Sequence, residues 1–282
     1  MISSVGNGRI KRVVMLRDKS RARNREGLFL AEGVKMFEEA PLDRLREVYC
    51  GEGFWELVQN GDGIYKAIGD KLRACRERGI LVEQVSEEVL KHASDTQTPQ
   101  GILFVMEQLR YSLEDVVEKA VRRERAEGRA PLFLILEDIQ DPGNLGTMIR
   151  TGEGAGVDGI IMSKGTVDIY NPKTIRSTMG SLYRVPFFYV EELEEAIGLL
   201  QKNNIMVYAA HLKGERYFDE IAYGNGSAFL IGNEGKGLKE ATADRADCYL
   251  KIPMEGKLES LNAAVAAALL MYQAAGYRRK NK

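Results

Sequence analysis

Leu132-Phe-Leu-Ile-Leu-Glu-Asp-Ile-Gln-Asp-Pro-Gly-Asn-Leu-Gly-Thr-Met-Ile-Arg150 decides the fold of the second half of the chain. Its first five residues form a continuous apolar run, the pattern of a strand buried on both faces of a sheet that helices cover on both sides. Asp141-Pro-Gly-Asn144 is turn chemistry, and Asn144 is suited to cap a helix over residues 145–154. Strand, loop and helix in that order make the unit of an open α/β sheet, which binds its ligands beyond the carboxyl ends of the strands. The loop from Glu137 to Asn144 is therefore the first place to look for a site.

Outward from this unit the alternation continues. Strands are expected at 159–162, 185–190, 205–210, 228–231 and 249–252, and helices at 173–182, 193–203 and, rich in alanine, 261–276. The pattern predicts an α/β domain with a mostly parallel sheet. The N-terminal part alternates over shorter elements. Helices at 10–16, 34–40, 71–78 and 87–92 interleave with strands at 28–31, 45–50, 80–85 and 102–106, a small α/β sandwich. Residues 111–130 are highly charged and closed by Gly128 and Pro131, which suggests a linker containing a helix. Three parts follow: 1–110, a linker over 111–130, and 131–282.

With 282 residues, 44% of them hydrophobic, the chain can build two cores and is not disordered. No apolar run approaches the ~18 residues of a membrane span, and residues 1–5 are too short and polar to open a secretory signal, so a cytoplasmic protein is expected. Cys50, Cys75 and Cys248 are odd in number and form no C-x-x-C pair, which argues against a disulfide framework and a zinc site. The two histidines, His92 and His211, lack metal-ligand spacing, and no G-x-S-x-G elbow is present, so neither a metal nor a hydrolase is expected. The net charge of −1 conceals a local excess. Arg9, Lys11, Arg12, Arg17, Lys19, Arg21, Arg23 and Arg25 stand against one acid, Asp18. Such a run attracts phosphates without regard to sequence, although a solvated helix face followed by a loop would also account for it.

Two further segments carry chemistry. Ile231-Gly-Asn-Glu-Gly-Lys-Gly237 follows an apolar strand, and its glycines allow close approach of backbone to a ligand. A lysine among glycines suggests a phosphate loop, but the Walker spacing is absent and Glu234 has the wrong charge beside a phosphate. A carboxylate suits a sulfonium or a ribose hydroxyl instead. Ile252-Pro-Met254 leads through Glu255, Gly256 and Lys257 to Ser260-Leu-Asn262 at the start of the last helix, where Ser260 is also an ordinary helix cap. Gly154-Ala-Gly-Val-Asp-Gly159 has dinucleotide spacing in the wrong context: a helix ends there and a strand begins, so it reads as a helix C-cap and turn.

Taken together, Asn144 to Arg150, Ile231 to Gly235, and Ile252-Pro-Met254 with Ser260-Leu-Asn262 resemble the three motifs of the SpoU (TrmH-like) branch of the SPOUT superfamily. Members of that branch methylate RNA ribose at the 2′-oxygen with S-adenosylmethionine. Arg17-Asp-Lys19, the stretch from Arg25 to Gly33 and Thr98-Pro-Gln-Gly101 resemble the branch's N-terminal RNA-binding domain. The resemblance implies a C-terminal trefoil knot, a homodimer with catalytic domains face to face, and no metal. It places Gly232, Ile252 and Leu261 against the cofactor, and Asn144, Arg150, Glu234, Ser260 and Asn262 at catalytic or substrate-ordering positions. A general-base role is associated with Arg150 in the family. A guanidinium stays protonated, however, so a cation that holds the target phosphate and stabilises the forming alkoxide, near the subunit boundary, is the better reading. The separate N-terminal domain favours ribosomal over transfer RNA, and the other alternative is a non-catalytic RNA-binding assembly factor of the same fold.

Overall fold

In the computed structural model, which describes residues 1–280, helix α1 (Gly8–Asp18) starts at Asn7, whose side chain accepts from Arg9 N–H at 2.9 Å. It buries Ile10, Val13 and Leu16 and leaves Arg9 and Lys11 exposed. A second helix, α2 (Ser20–Glu26), follows where no element was expected, and Gly27 ends it in the left-handed conformation. The remaining elements of this unit are β1 (Leu28–Glu32), α3 (Val34–Glu39), β2 (Leu45–Gly51), α4 (Glu52–Asn60), α5 (Ile64–Glu77), β3 (Leu81–Val85), α6 (Glu87–Ala93) and β4 (Ile102–Glu107). The strands lie in the order β1-β4-β2-β3, with β4 antiparallel to both neighbours and β2 parallel to β3. Helices α1 and α6 pack Ile10, Val13, Leu16 and Val89 against Tyr49, Leu103 and Val105 of the sheet.

The second unit begins with α7 (Leu113–Glu127), capped by Ser112. This is the helix expected within a linker, and its Val117 and Ala120 lie in the core of the unit beside Phe133 and Ile135. Then come β5 (Leu132–Leu136), α8 (Pro142–Ala155) and β6 (Gly159–Ser163). Gly156 closes α8 at φ 74° and β6 opens at Gly159, as the C-cap reading requires. The expected helix at 173–182 is shorter. It is α9 (Pro172–Thr178), stopped by the left-handed Met179 and Gly180 and followed by a 3-10 turn, Ser181–Tyr183. The stretch Asp168–Tyr183 belongs by packing to the first unit. There Arg23 holds the Asp168 carboxylate, Tyr170 bonds the backbone of Leu109 and lies on Phe29, and Arg176 pairs with Asp95 at 2.6 Å.

The second unit continues with β7 (Phe187–Val190), α10 (Leu193–Lys202), β8 (Ile205–Ala210), β9 (Arg216–Tyr217), β10 (Gly226–Ile231), α11 (Glu240–Ala243), β11 (Cys248–Lys251) and α12 (Ala263–Lys280). Its seven strands run β7-β6-β5-β10-β8-β11-β9, and every pairing is parallel. All five β5 side chains are fully buried, which explains the unbroken apolar run. Because β5, β10 and β11 are parallel, their carboxyl ends open on one edge. Leu136 lies opposite Ile231, so the segments after them emerge side by side. This is how residues far apart in sequence reach one place.

Candidate active site

The glycine-rich segment after β10 closes on itself. Asn233 and Gly237 exchange backbone hydrogen bonds of 3.1 and 2.9 Å, while Asn233 Oδ1 accepts from the N–H groups of Gly235 and Lys236. Asn233 Nδ2 donates to Asp138 O at 2.7 Å, which fixes the loop to the segment after β5. A Cβ on Gly232 would stand 2.3 Å from the Gly237 carbonyl carbon and the Leu238 nitrogen, so the close approach here demands glycine.

Glu234 projects from this loop onto the start of α8. Its carboxylate accepts from Gln140 N–H, Asp141 N–H and Asn144 Nδ2, each at 3.0 Å. Burial alone would push the carboxyl up, but these donors together outweigh it and hold the group below its ordinary value. Asn144 in turn accepts through Oδ1 from Asn262 Nδ2 at 3.0 Å. Asn262 Oδ1 accepts from Ala264 and Val265 N–H, so Asn262 is the cap of α12. One hydrogen-bonded chain, Glu234 to Asn144 to Asn262, thus joins the three sequence segments.

Two expectations change here. Asn144 is not the cap of α8: Asp141 is, accepting from Asn144 N–H at 2.8 Å, with Pro142 at the first helical position. Asn144 lies within the first turn, which turns its amide toward Glu234. Nor does Ser260 cap α12, which begins two residues later than expected, at Ala263. Ser260 instead lines an open hollow with Gln140, Asp141, Asn144, Glu234 and Asn262.

Beside that hollow, and sharing Glu234, Ser260, Leu261 and Ala263 with it, lies a cleft of about 360 Å³. Gly232, Ile252 and Leu261 line it, as do Leu250, Met254 and Ala266. This is the size and largely apolar character of a small-molecule site, with polar groups at its mouth. Among the described residues no group of three or more His, Cys, Asp or Glu side chains could hold a metal ion.

Residues 131–272 match the SpoU rRNA Methylase family, and residues 7–103 match the MRM3-like substrate binding domain. The chain belongs to the SpoU rRNA methylase family. It is 32% identical over 279 residues to the 23S rRNA (guanosine(2553)-2′-O)-methyltransferase RlmP of Bacillus subtilis, covering 98% of this chain and 99% of that one. An AdoMet-bound rRNA methyltransferase from Sinorhizobium meliloti superposes with a TM-score of 0.79 at 28% identity, over 97% of this chain and 96% of the other. The SpoU methyltransferase AviRb from Streptomyces viridochromogenes gives 0.75 at 25% identity, over 98% and 99%. The expected α/β class with a parallel-strand sheet agrees with these structures.

Not every residue expected in the SpoU site gathers there. Arg150 lies nearly two turns along α8 from Asn144, exposed, and lines neither hollow. Among the described residues it has no hydrogen-bond or ion-pair partner. Its neighbour one turn on, Gly154, lies beneath the Tyr272 hydroxyl, and a Cβ there would meet that oxygen at 2.7 Å. Arg150 therefore faces the same side as Tyr272 of α12.

The basic run divides into two groups. Arg23 is only 3% exposed and donates to Asp168 and to the carbonyls of Leu16 and Arg17. It is a structural cation and must be removed from the RNA-binding set. Arg17 donates to the carbonyls of His92 and Ser94 and pairs with Asp18, and Arg12 bridges Glu26 and Glu47 at 2.7 and 2.5 Å. Both are committed inside the first unit. Arg9, Lys11, Lys19, Arg21 and Arg25 are exposed.

Sequence reasoning missed Asn233, Gln140 and Asp138. Asp138 sits at φ 53° and accepts from Ser163 and Lys239, each at 2.8 Å. The Lys239 bond, chiefly, holds its carboxyl below the ordinary range. The residue type alone carried a hint, since aspartate tolerates the left-handed region better than most. Its partners were not readable.

Proposed function

We propose that this protein transfers a methyl group from S-adenosylmethionine to a ribose 2′-oxygen of ribosomal RNA, with 23S rRNA as the substrate. The observation that carries the reading is the bonded chain Glu234–Asn144–Asn262 at the mouth of the cleft that Gly232, Ile252 and Leu261 line. The substrate-binding match over residues 7–103 and the ribosomal RNA named for the Bacillus relative support the choice of RNA.

When bound, S-adenosylmethionine supplies an electrophilic methyl on a sulfonium. The apolar wall of the cleft suits its base and chain, and the Glu234 carboxylate lies where a cation would approach. Gly232 keeps the backbone low enough for contact, while Ile252 and Leu261 exclude water. Asn144, Asn262 and Ser260 order the ribose beside the methyl, since alignment of nucleophile and leaving group is the main requirement of such a transfer. The 2′-hydroxyl proton leaves to water or a neighbouring acceptor as the new C–O bond forms and the C–S bond breaks. Arg150, as a permanent cation, holds the target phosphate and stabilises the developing alkoxide.

The same reading includes a homodimer. Val265, Leu269 and Tyr272 are 48%, 39% and 46% exposed on one stripe of α12, next to the Arg150 side of α8. A second copy covering this stripe would bring Arg150 to the subunit boundary. The reading also includes a trefoil knot formed around the segment from β11 to α12. Support comes from one close backbone approach between distant segments, Gly214 against Leu250 and Lys251. Among the described residues no helix is long and apolar enough to cross a membrane, and a cytoplasmic place beside the ribosome belongs to the same proposal.

The test is to map 2′-O-methylation in total RNA from a deletion strain and to repeat the transfer with purified protein and labelled S-adenosylmethionine. Loss of one ribosomal methylation, restored in vitro, is expected. A lost methylation in transfer RNA would make this a tRNA enzyme, and cofactor-independent RNA binding with no lost methylation would make it an assembly factor.

A further inference from the structure

His211 is the one imidazole at the cleft, and neither the motifs nor the roles above use it. It opens a turn at the carboxyl end of β8, in which Gly214 N–H donates to His211 O at 3.0 Å. The turn is pressed against β11. His211 N–H donates to Leu250 O at 2.9 Å, and a Cβ at Gly214 would stand 2.6 Å from the Leu250 carbonyl carbon. The ring itself lies against Tyr249, with centroids 4.9 Å apart and planes at 36°. Its Nδ1 accepts from Lys213 N–H at 3.1 Å.

These contacts assign the tautomer. A neutral imidazole has one donor and one acceptor, and an Nδ1 that accepts a backbone N–H leaves the proton on Nε2. Among the described residues Nε2 has no partner, and His211 lines the cleft. The ring is half-buried and fixed by turn, strand and stacking partner, so its free N–H is a preorganised donor. Such a donor favours an occupant able to accept from it, because little ordering entropy remains to be lost on binding.

We infer that His211 Nε2–H is a cofactor-binding donor that reads an acceptor on the adenosine part of S-adenosylmethionine. The inference rests on the methyltransferase reading and deepens it. Its position in the cleft selects the adenosine part. Methyl transfer belongs where the cleft meets the open hollow, at Glu234 and Ser260, and His211 does not line that hollow. The wall beside it is apolar, with Leu250 and Ile252 at the end of β11, which suits a flat base and its sugar.

The test uses the full chain and two ligands, S-adenosylhomocysteine and 5′-methylthioadenosine, the second of which lacks the amino-acid end. Titration calorimetry is run on wild type, His211→Phe, His211→Asn and His211→Gln. Phe keeps the ring and the stacking on Tyr249 but has no donor. Asn can still accept from Lys213 N–H but falls short of the Nε2 position, and Gln places an amide N–H near it. The expected result is a loss of about five- to tenfold in affinity for both ligands in the Phe and Asn variants, the scale of one hydrogen bond, with Gln within about twofold of wild type. Thermal midpoints of all four proteins check that the turn is intact. Unchanged binding by a folded Phe variant overturns the inference, as does a loss confined to S-adenosylhomocysteine, which would move the donor to the amino-acid end. If wild type binds neither ligand, the cofactor reading itself fails, and that outcome is distinct from the other two.

Discussion

Asn262 donates through Nδ2 to Asn144 Oδ1 at 3.0 Å, and this one bond sets the direction of the next, from Asn144 to Glu234. Asn262 Oδ1 is occupied by the first N–H groups of α12, so its amide nitrogen must face Asn144. Asn144 must then accept through its oxygen and donate through its nitrogen, and Glu234 receives that donation. A carboxylate at 144 cannot satisfy both neighbours.

Asn144→Asp therefore places two carboxyl groups about 3 Å apart, where they do not both ionise readily. One of them acquires a raised folded-state pKa, so the variant's stability falls as pH rises through the unfolded value toward the raised one. Thermal unfolding between pH 4 and 7.5 should show this slope in Asn144→Asp and not in Asn144→Ala. Parallel profiles for the two variants would mean that Glu234 and residue 144 are not coupled.

Wild-type Glu234 has the opposite sign. Its folded pKa lies below the ordinary value, so its contribution is present above that ordinary value and lost as pH falls through the folded one. Glu234→Gln should remove this acid-side dependence. At neutral pH the cost should be small, below about 1 kcal/mol, because three charge-assisted bonds become neutral ones but the carboxylate is exposed and solvent screens them. Chemical denaturation at pH 4 and pH 7 measures both effects; equal losses at the two values would place the stabilisation elsewhere.

The division within the basic run makes a separate prediction. Changing Lys19, Arg21 and Arg25 to Ala should weaken RNA binding and flatten its dependence on salt, with S-adenosylhomocysteine affinity and thermal midpoint little changed. Arg23→Ala should do the reverse. Removing one partner of a buried, hydrogen-bonded pair leaves Asp168 facing no cation, at a cost of about 3 kcal/mol. Filter binding across a salt series and thermal unfolding separate the two groups. An Arg23→Ala protein of normal stability would reopen its place in the RNA-binding set.

Much of this was readable because period and apolarity carry strand and helix signals. The five apolar residues of β5 read directly as a buried strand, and the glycines around Asn233 read as a ligand loop once the missing Walker spacing and Glu234 argue against a phosphate site. What escaped depended on partners distant in the chain. Arg23 looks like its neighbours in sequence, and the ion pair that marks it as structural is with Asp168, 145 residues away. Asn144 resembles a helix cap until Asp141 is seen to occupy that position, and its own role is set by Glu234 and Asn262. The elements α2 and α4 were missed for a related reason: α2 is a short run of charged residues with few apolar positions, and α4 carries Gly53 in its first turn.

Arg150 offers the sharpest test of the reaction, because among the described residues no hydrogen bond or ion pair holds it. An exposed arginine without a partner contributes little to stability, so Arg150→Ala should unfold within about 0.5 kcal/mol of wild type. Its effect on turnover should be large. With bound RNA to order it, loss of its charge-stabilising contact should cost about 10²-fold or more, and Arg150→Lys, which keeps the charge but not the fork of donors, should retain part of the activity. Single-turnover methyl transfer to the cognate RNA across pH, with sedimentation on the same samples, reads both properties. Near-normal turnover in Arg150→Ala would take the residue out of the reaction. A monomeric variant would assign it to the contact between copies, beside Tyr272, and a dimer that binds cofactor yet transfers slowly is the outcome the permanent-cation role requires.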